Sequence, residues 1–306
     1  MKWAKVRQII RKLGVLLGLG IFVYLITSNF RELNSLPIRV SFNFSFAFLT
    51  LLLYVLVYFL QIINLKLIYL SLDQEIKLQD VISGFSLALL PKYIPGYIWG
   101  YLSRSDWFER EKNVSLNDSW SAAIIEIVVT ISTGLTAIGS FFLYREGEYI
   151  FLVICLILIP NVEFGLIKLI DTILLKKLIK KNLSFNRVLL KHWLIIFSNS
   201  LLQWAILGLA ILALIAACLP DGTYSLQSFW VNIYIFARSW LSGFLVFIIP
   251  NGMGVRELIF TDLLIVELRI HSELALLIST LSRLLLLTVE GLWVLVAVAI
   301  TRKKEA

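Results

Sequence analysis

Ser83 to Gly100 reads SGFSLALLPKYIPGYIWG, and Ser242 to Glu257 reads SGFLVFIIPNGMGVRE. Each stretch begins with Ser-Gly-Phe, continues with five residues, and then has a proline that leads into a glycine-rich turn. Proline removes a backbone donor and glycine favours turns, so each stretch predicts an apolar helix that is interrupted partway along its length. The recurrence predicts an internal repeat built on two broken helical regions.

The residues after each turn also recur. Arg104 comes after the first turn and Arg256 after the second, and each arginine leads through a short polar stretch into a long apolar run. Those runs carry one charge at nearly the same place, since Glu126 lies 35 residues after Pro91 and Arg283 lies 33 after Pro250. Each repeat unit therefore contains a broken region and the span after it.

The composition indicates a membrane protein. Hydrophobic residues make up 59% of the 306 residues, the mean hydropathy is +0.87, and only 16% of positions are charged. One globular core cannot hide that much apolar surface, because a soluble domain is about a quarter charged. Cys155 and Cys218 both lie in or at the end of apolar runs, which argues against a disulfide framework or a thiolate metal site.

Six apolar runs approach or reach the length of a transmembrane helix. The first comes after a basic N-terminus and has no small-residue cleavage site behind it, so we expect it to be retained within a first helix at residues 1–35. The six predicted spans are Gly14–Thr27, Phe42–Ile63, Trp120–Tyr144, Tyr149–Ile170, Trp193–Leu219 and Leu274–Ile300.

The charges of the connections predict how these spans are oriented. Lysine and arginine are concentrated in the N-terminal segment, in the loop before Trp193 and after Thr301, whereas residues 220–227 have none. Basic loops stay in the cytoplasm, so we expect both termini there, in a multi-pass protein of the cell (inner or plasma) membrane. Both termini can lie on the same side only if the number of full crossings is even. The six spans meet this condition if the broken regions Val81–Tyr101 and Phe229–Leu268 each enter and leave the membrane on the same side.

The first broken region would then enter from the cytoplasm and the second from outside. Repeats of opposite orientation with interrupted helices are typical of transporters. The expected fold is therefore an all-α polytopic membrane protein with about six full spans and two re-entrant hairpins in an inverted-topology repeat. The whole chain, 1–306, is one transmembrane domain, with the first helix at 1–35, repeat one at 42–145, a linking span and basic loop at 149–191, and repeat two at 192–301.

Charged residues in the apolar segments are the candidate site, because each costs free energy in a bilayer. We expect Lys92, Arg104, Arg256 and Arg283 to bind an anionic head group, helped by backbone donors that the broken helices leave free. Glu126, Glu257 and Glu290 are candidates for coupling or for structural ion pairs; Arg283 and Glu290, seven apart, share one helix face. The predicted turn and cavity backbone consists of Pro91, Pro95, Gly96, Gly100, Pro250, Gly252 and Gly254.

Soluble catalytic chemistry leaves no signature in this sequence. Walker, HExxH and GxSxG motifs are absent, and His192 and His271 are the only histidines. We therefore expect no catalytic residue, no metal and no cofactor, and the chain is not predicted to be an enzyme. The net charge of +8 is explained by membrane topology and does not predict a nucleic-acid partner. Aromatic residues such as Trp99, Tyr101, Trp193 and Trp230 are expected at the membrane interfaces.

Several motifs resemble those of the lysylphosphatidylglycerol synthase transmembrane (flippase-like) family. Ile249 to Glu257, IPNGMGVRE, resembles that family's P-G-G-[IL]-G-x-R-E motif, with Asn251 in place of the first glycine. Leu281 to Leu284 is similar to the A-x-x-x-R-[LI] segment that comes next in the family. PGYIWGYLSR at 95–104, with Ala122 to Glu126, is similar to the pattern P-x-K-x-G-E-x-x-R…E-R, although Tyr101 and Ile127 differ from it.

The resemblance implies a stand-alone translocator without the soluble aminoacyltransferase domain of the two-part members. Its substrate would be a lipid with a charged or glycosylated, phosphate-bearing head group, such as an aminoacyl phospholipid or a polyprenyl-phosphate glycolipid. A separate synthase or glycosyltransferase is an expected partner. Two alternatives stay open: a membrane-embedded enzyme that acts on a lipid phosphate with Glu257 or Glu126 as acid–base, and a non-transporting accessory subunit.

Overall fold

The computed structural model describes Tyr24, Thr27 and residues 42–94, 98–170, 184–219, 226–246, 250–252 and 254–305. The described residues from 42 onwards form nine α-helices, and no strand occurs among the described residues. The helices are α1 (Phe44–Ser71), α2 (Leu78–Leu87), α3 (Ile98–Lys112), α4 (Leu116–Arg145), α5 (Tyr149–Ile170), α6 (Leu190–Cys218), α7 (Leu226–Leu245), α8 (Val255–Leu268) and α9 (Ser272–Glu305). Three-residue 3₁₀ turns at Pro91–Tyr93 and Pro250–Gly252 interrupt the two repeated stretches.

Five helices, α1, α4, α5, α6 and α9, are long and apolar enough to cross a membrane by length and composition. They correspond to the second through sixth predicted spans. The first predicted span lies outside the described residues except for Tyr24 and Thr27, which are helical. Helix α5 matches its predicted bounds, whereas α1 continues beyond Ile63 to Ser71 because Leu65 and Ile68 are still buried in the core.

Helices α1 and α6 pack against each other and run in opposite directions. The amide of Asn43, before α1, donates to the carbonyl of Ala217, near the end of α6, at 2.8 Å. At the opposite end, Arg187, before α6, donates to the carbonyl of Leu72, after α1, at 3.3 Å. These contacts define the two ends of the bundle, which we call the Asn43 end and the Leu72 end.

The first hairpin, made of α2, the turn at Pro91 and α3, opens at the Leu72 end. Lys112, the last residue of α3, forms a 2.9 Å ion pair with Asp80 near the start of α2. The end of the second arm therefore lies beside the start of the first. Asp118, at the start of α4, accepts hydrogen bonds from Gln74 and Arg187. Helix α4 therefore begins at the Leu72 end and runs towards the Asn43 end.

The second hairpin, made of α7, the turn at Pro250 and α8, opens at the opposite, Asn43 end. Near the end of α4, the Tyr144 ring stacks on Trp230 near the start of α7, with the ring centres 5.5 Å apart. Arg145 lies 3.8 Å from the carboxylate of Glu267 near the end of α8. The two hairpins thus enter the bundle from opposite ends.

The packing of the helices reflects the repeat. Helix α2 packs against α9 and its counterpart α7 packs against α4, while α1 packs against its own counterpart α6. The two 3₁₀ turns contact each other, as the repeated sequence predicts. Because α1 and α6 are antiparallel, the two halves of the described chain are related by a reversal of direction.

The glycine of each Ser-Gly-Phe unit lets the hairpin close on itself. A Cβ at Gly84 would lie 2.7 Å from the rings of Trp107 and Phe108 on the returning arm. Gly243 lies close to the second turn, since a Cβ added to Gly252 would come within 2.6 Å of the backbone of Gly243. The repeated motif is therefore a packing requirement of a tight hairpin.

Replacing Gly252 with alanine is expected to destabilise the fold by roughly 2–5 kcal/mol, since φ is +65° there and the new methyl group meets backbone that cannot move aside. Thermal unfolding of the purified protein in detergent measures the change. Gly139→Ala is the matched control, because a Cβ at Gly139 has no neighbour within 4 Å and alanine favours the helix. Equal unfolding midpoints for the two variants would contradict the close turn.

Candidate functional site

A cavity of about 190 Å³ lies where the tips of the two hairpins meet. Its wall includes side chains from α1, α4 and α6, from both hairpins and from α9. Six residues singled out from the sequence line it: Lys92, Gly100, Arg104, Glu126, Arg256 and Glu290. The fold therefore brings the charges of both repeat units to one place.

Glu290 on α9 is the most heavily bonded charge of this cavity. Its carboxylate accepts from Lys92 Nζ at 2.6 Å and from the Tyr93 hydroxyl at 2.6 Å, and also from the Tyr58 hydroxyl. The Glu290 side chain is only 4% exposed. Lys92, predicted to bind a head group, is thus occupied by an ion pair that holds the first turn against α9.

Arg104 on α3 is paired in a similar way. Its guanidinium donates to the carboxylate of Glu126 on α4 and lies 5.1 Å from the centre of the Tyr101 ring. Arg104 is buried, so the pair ties the returning arm of the first hairpin to the next span. Glu126 fits the ion-pair role that the sequence left open.

The corresponding pair in the second repeat has its charges reversed. Arg283 on α9 places Nε 3.5 Å from Glu257 on α8, so the acid lies on the hairpin and the base on the span. Glu257 also accepts from the backbone amide of Gly254 at 2.8 Å. The start of α8, expected to offer free donors to a ligand, is therefore capped by the chain's own carboxylate. Glu257 and Arg283 line a small neighbouring void that Arg256 shares.

Arg256 is the cation that differs from the others. Its guanidinium lies 4.8 Å from the centre of the Phe236 ring, and no carboxylate of the described residues lies within 4.0 Å of it. Three bases and two acids among the described residues line the cavity, which leaves one formal positive charge there. Since the opposing charges are paired, that excess resides on Arg256.

Several polar residues of the cavity were not singled out from the sequence. Asn64 on α1 and Gln203 on α6 line it, as do Trp204 and Trp240. Asn64 Oδ1 and Gln203 Nε2 have no hydrogen-bond partner among the described residues. The amides in the apolar runs of α1 and α6 were a usable signal, because a buried amide needs a partner as a buried charge does.

The predicted turn-backbone residues do not all line the cavity. Gly100 lines the cavity, whereas Pro91, Pro250 and Gly252 shape the turns and Gly254 precedes α8 with φ of +78°. Asn251, at the motif's first-glycine position, lines the cavity in the left-handed region (φ 49°), which asparagine tolerates. Pro95 and Gly96 lie outside the described residues.

Two of the aromatic residues expected at the membrane interfaces contact other parts of the protein. Trp193, expected at an interface, is 1% exposed and packs against Phe164, and Tyr101 lines the cavity. Hydropathy alone cannot distinguish an aromatic ring at the membrane surface from one at a helix contact. In the described part of the chain, no group of three or more His, Cys, Asp or Glu side chains lies together as a metal site.

Comparisons of this chain with models of protein families, with curated proteins and with solved structures find no match. The candidate function therefore depends on the cavity and on the motifs of the sequence.

Proposed function

We propose that this chain is an integral membrane protein that moves a lipid with a phosphate-bearing head group from one leaflet to the other. The observation that carries the proposal is Arg256, a guanidinium on the cavity wall with no carboxylate beside it among the described residues. Arginine offers a planar fork of donors that matches phosphate, and partial exclusion of water strengthens the attraction. The cavity would receive the head group while the acyl or prenyl tail stays in the bilayer.

The proposed membrane arrangement supports this role. With the Leu72 end in the cytoplasm, the first hairpin enters from the cytoplasm and the second from outside, and the described spans α1, α4, α5, α6 and α9 cross the bilayer. The predicted first span makes the number of crossings even. Irregular backbone at membrane depth is tolerated where it lines a cavity, and hairpin tips that meet between inverted repeats are an arrangement of transporters.

Cysteine labelling tests this arrangement. In a background with Cys155→Ala and Cys218→Ala, Lys77→Cys is expected to react with an impermeant maleimide from the cytoplasmic side and Glu148→Cys from outside. Both residues are exposed, and the helix α4 separates them. Lys303→Cys is the control and is expected to react from the same side as Lys77→Cys. Reaction of Lys77→Cys and Glu148→Cys from one side would refute the proposed crossing.

The resemblance to the lysylphosphatidylglycerol synthase transmembrane family also implies a protein that moves lipid between leaflets. That likeness rests in part on the IPNGMGVRE motif, whose described residues form the second turn and the start of α8. Arg256 and Glu257 have different surroundings in the fold, because one faces the cavity without a carboxylate and the other pairs with Arg283. A residue that binds a ligand needs an unpaired charge, as Arg256 has among the described residues, whereas a residue with a structural role needs a partner, as Glu257 has.

Reconstitution separates translocation from the alternatives. Purified protein in liposomes, with fluorescent polyprenyl phosphate or phosphatidylglycerol in both leaflets, is expected to make inner-leaflet probe accessible to an external quencher. Chromatography of the extracted lipid is expected to return the probe unchanged. Chemical conversion of the probe would instead favour an enzyme of lipid phosphates, and neither movement nor conversion would favour an accessory subunit. Protein-free liposomes provide the baseline.

A further inference from the structure

Two of the residues that line the cavity are buried carboxamides. Asn64 is 5% exposed and Gln203 is 8% exposed, and both line the cavity together with Arg256. Asn64 Oδ1 and Gln203 Nε2 have no hydrogen-bond partner among the described residues. Unpaired polar groups at such depth are costly to leave unsatisfied, so the cavity offers hydrogen bonds that its own wall does not use.

The chemistry of these groups restricts what can satisfy them. A carboxamide oxygen accepts a hydrogen bond and a carboxamide nitrogen donates one, so the pair needs a ligand that can do both. A hydroxyl group donates and accepts, whereas an ammonium group only donates and a phosphate oxygen only accepts. Exchanging the oxygen and nitrogen assignments of both amides together still leaves one unpaired acceptor and one unpaired donor among the described residues, so the requirement is then unchanged.

Aromatic surface lies beside the amides. The rings of Trp204 and Trp240 meet edge to face with centres 5.7 Å apart, and both line the cavity. Flat aromatic faces pack well against the C–H face of a sugar ring, whose hydroxyl groups then project sideways towards polar partners. Carboxamides next to tryptophans therefore match a ring that is apolar on its faces and polar on its edge.

The charge of the cavity disfavours a cationic head group. Lys92, Arg104 and Arg256 are balanced by only two carboxylates on the described wall, so an added ammonium group would meet an excess positive charge. Repulsion of this kind selects among ligands as effectively as attraction does.

We infer that the head group accepted by this cavity is a phosphate that carries neutral hydroxyl groups, as in a sugar linked through phosphate to a lipid, and not a cationic aminoacyl group. Arg256 binds the phosphate, and Asn64 and Gln203 bind the hydroxyl groups. The inference rests on the proposed translocation and names its substrate class.

Proteoliposomes with three tail-labelled fluorescent lipids test the inference. The probes are a polyprenyl phosphate bearing one hexose, the same polyprenyl phosphate without the sugar, and lysyl-phosphatidylglycerol. The hexose lipid is expected to move fastest and lysyl-phosphatidylglycerol to stay near the protein-free rate. Gln203→Met and Asn64→Leu, which keep side-chain size, are each expected to lower the ratio of hexose lipid to bare phosphate by about five- to tenfold.

Asn232→Leu is the matched control. Asn232 is also a fully buried carboxamide without a partner in the described chain, but it does not line the cavity. It is expected to leave the ratio unchanged. Faster movement of lysyl-phosphatidylglycerol than of the hexose lipid, or an unchanged ratio in both cavity variants, would overturn the inference while leaving translocation intact.

A binding measurement separates the two proposals if no lipid moves. Titration of the hexose lipid into detergent-solubilised protein is expected to change tryptophan fluorescence, since Trp204 and Trp240 line the cavity, and Gln203→Met is expected to weaken that binding. Binding without movement would support the substrate class and contradict translocation. Absence of binding would contradict the substrate class.

Discussion

Arg256→Ala is expected to slow lipid movement in liposomes by about 10- to 100-fold, the effect of losing one or two charge-assisted hydrogen bonds to a phosphate. The unfolding midpoint is expected to stay near that of the unchanged protein, because no carboxylate among the described residues depends on Arg256 for its charge balance. Arg256→Lys keeps the charge but loses the planar fork, so an intermediate rate is expected.

The control for this variant is Arg238→Ala. Arg238 is an exposed arginine on α7 that stacks over Tyr234 and does not line the cavity. It is expected to leave the rate unchanged. A normal rate in Arg256→Ala liposomes would show that the guanidinium is not the anion site, and a large drop in its unfolding midpoint would give it a structural role instead.

Much of the fold was predictable because a helix that spans a bilayer requires a long, nearly uninterrupted run of apolar residues. Apolar runs of sufficient length could be read directly, and the structure has helices at the second through sixth of them. The Ser-Gly-Phe repeat predicted the two turns because its glycines fulfil a geometric requirement: Gly84 and Gly243 allow each hairpin to close. The helix ends were less predictable, since burial of residues such as Leu65 extends α1 beyond its most apolar stretch.

The site was predictable in its residues but not in their pairing. Each intramembrane charge was a candidate because charge is costly there, and six of the predicted residues line one cavity. Which acid meets which base depends on the packing of α2 against α9 and of α3 against α4, and sequence spacing does not specify that packing. Arg283 and Glu290 share a helix, yet they pair with Glu257 and Lys92 on other elements.

The uncharged part of the site was missed for a different reason. Asparagine, glutamine and tyrosine are tolerated in transmembrane helices and carry a weaker signal than charge does. Tyr58 and Tyr93 donate to Glu290, but nothing in their local sequence distinguishes them from interfacial aromatic residues. Only their distance to a carboxylate on α9, far along the chain, reveals their role.

Glu290→Gln is expected to destabilise the protein by about 3–5 kcal/mol, because it leaves the charge of Lys92 uncompensated in a buried place. Lys92→Met is expected to cost less, since the hydroxyls of Tyr58 and Tyr93 still donate to the carboxylate. The double variant Lys92→Met/Glu290→Gln removes both charges together and is expected to recover most of the lost stability. Thermal unfolding of the four proteins in detergent gives the coupling energy.

The pair Arg145–Glu267, which is more exposed than Lys92–Glu290, provides the comparison. Its atoms are 3.8 Å apart and the Arg145 side chain is 59% exposed, so Glu267→Gln is expected to cost less than about 1 kcal/mol. Additive effects of Lys92→Met and Glu290→Gln would contradict the coupled pair. The double variant also tests whether Lys92 has a second role. If Lys92 binds the lipid phosphate in addition to pairing with Glu290, the stable double variant is expected to move lipid slowly. If it only holds the first turn against α9, the double variant transports normally, and Arg256 is the cation that the head group requires.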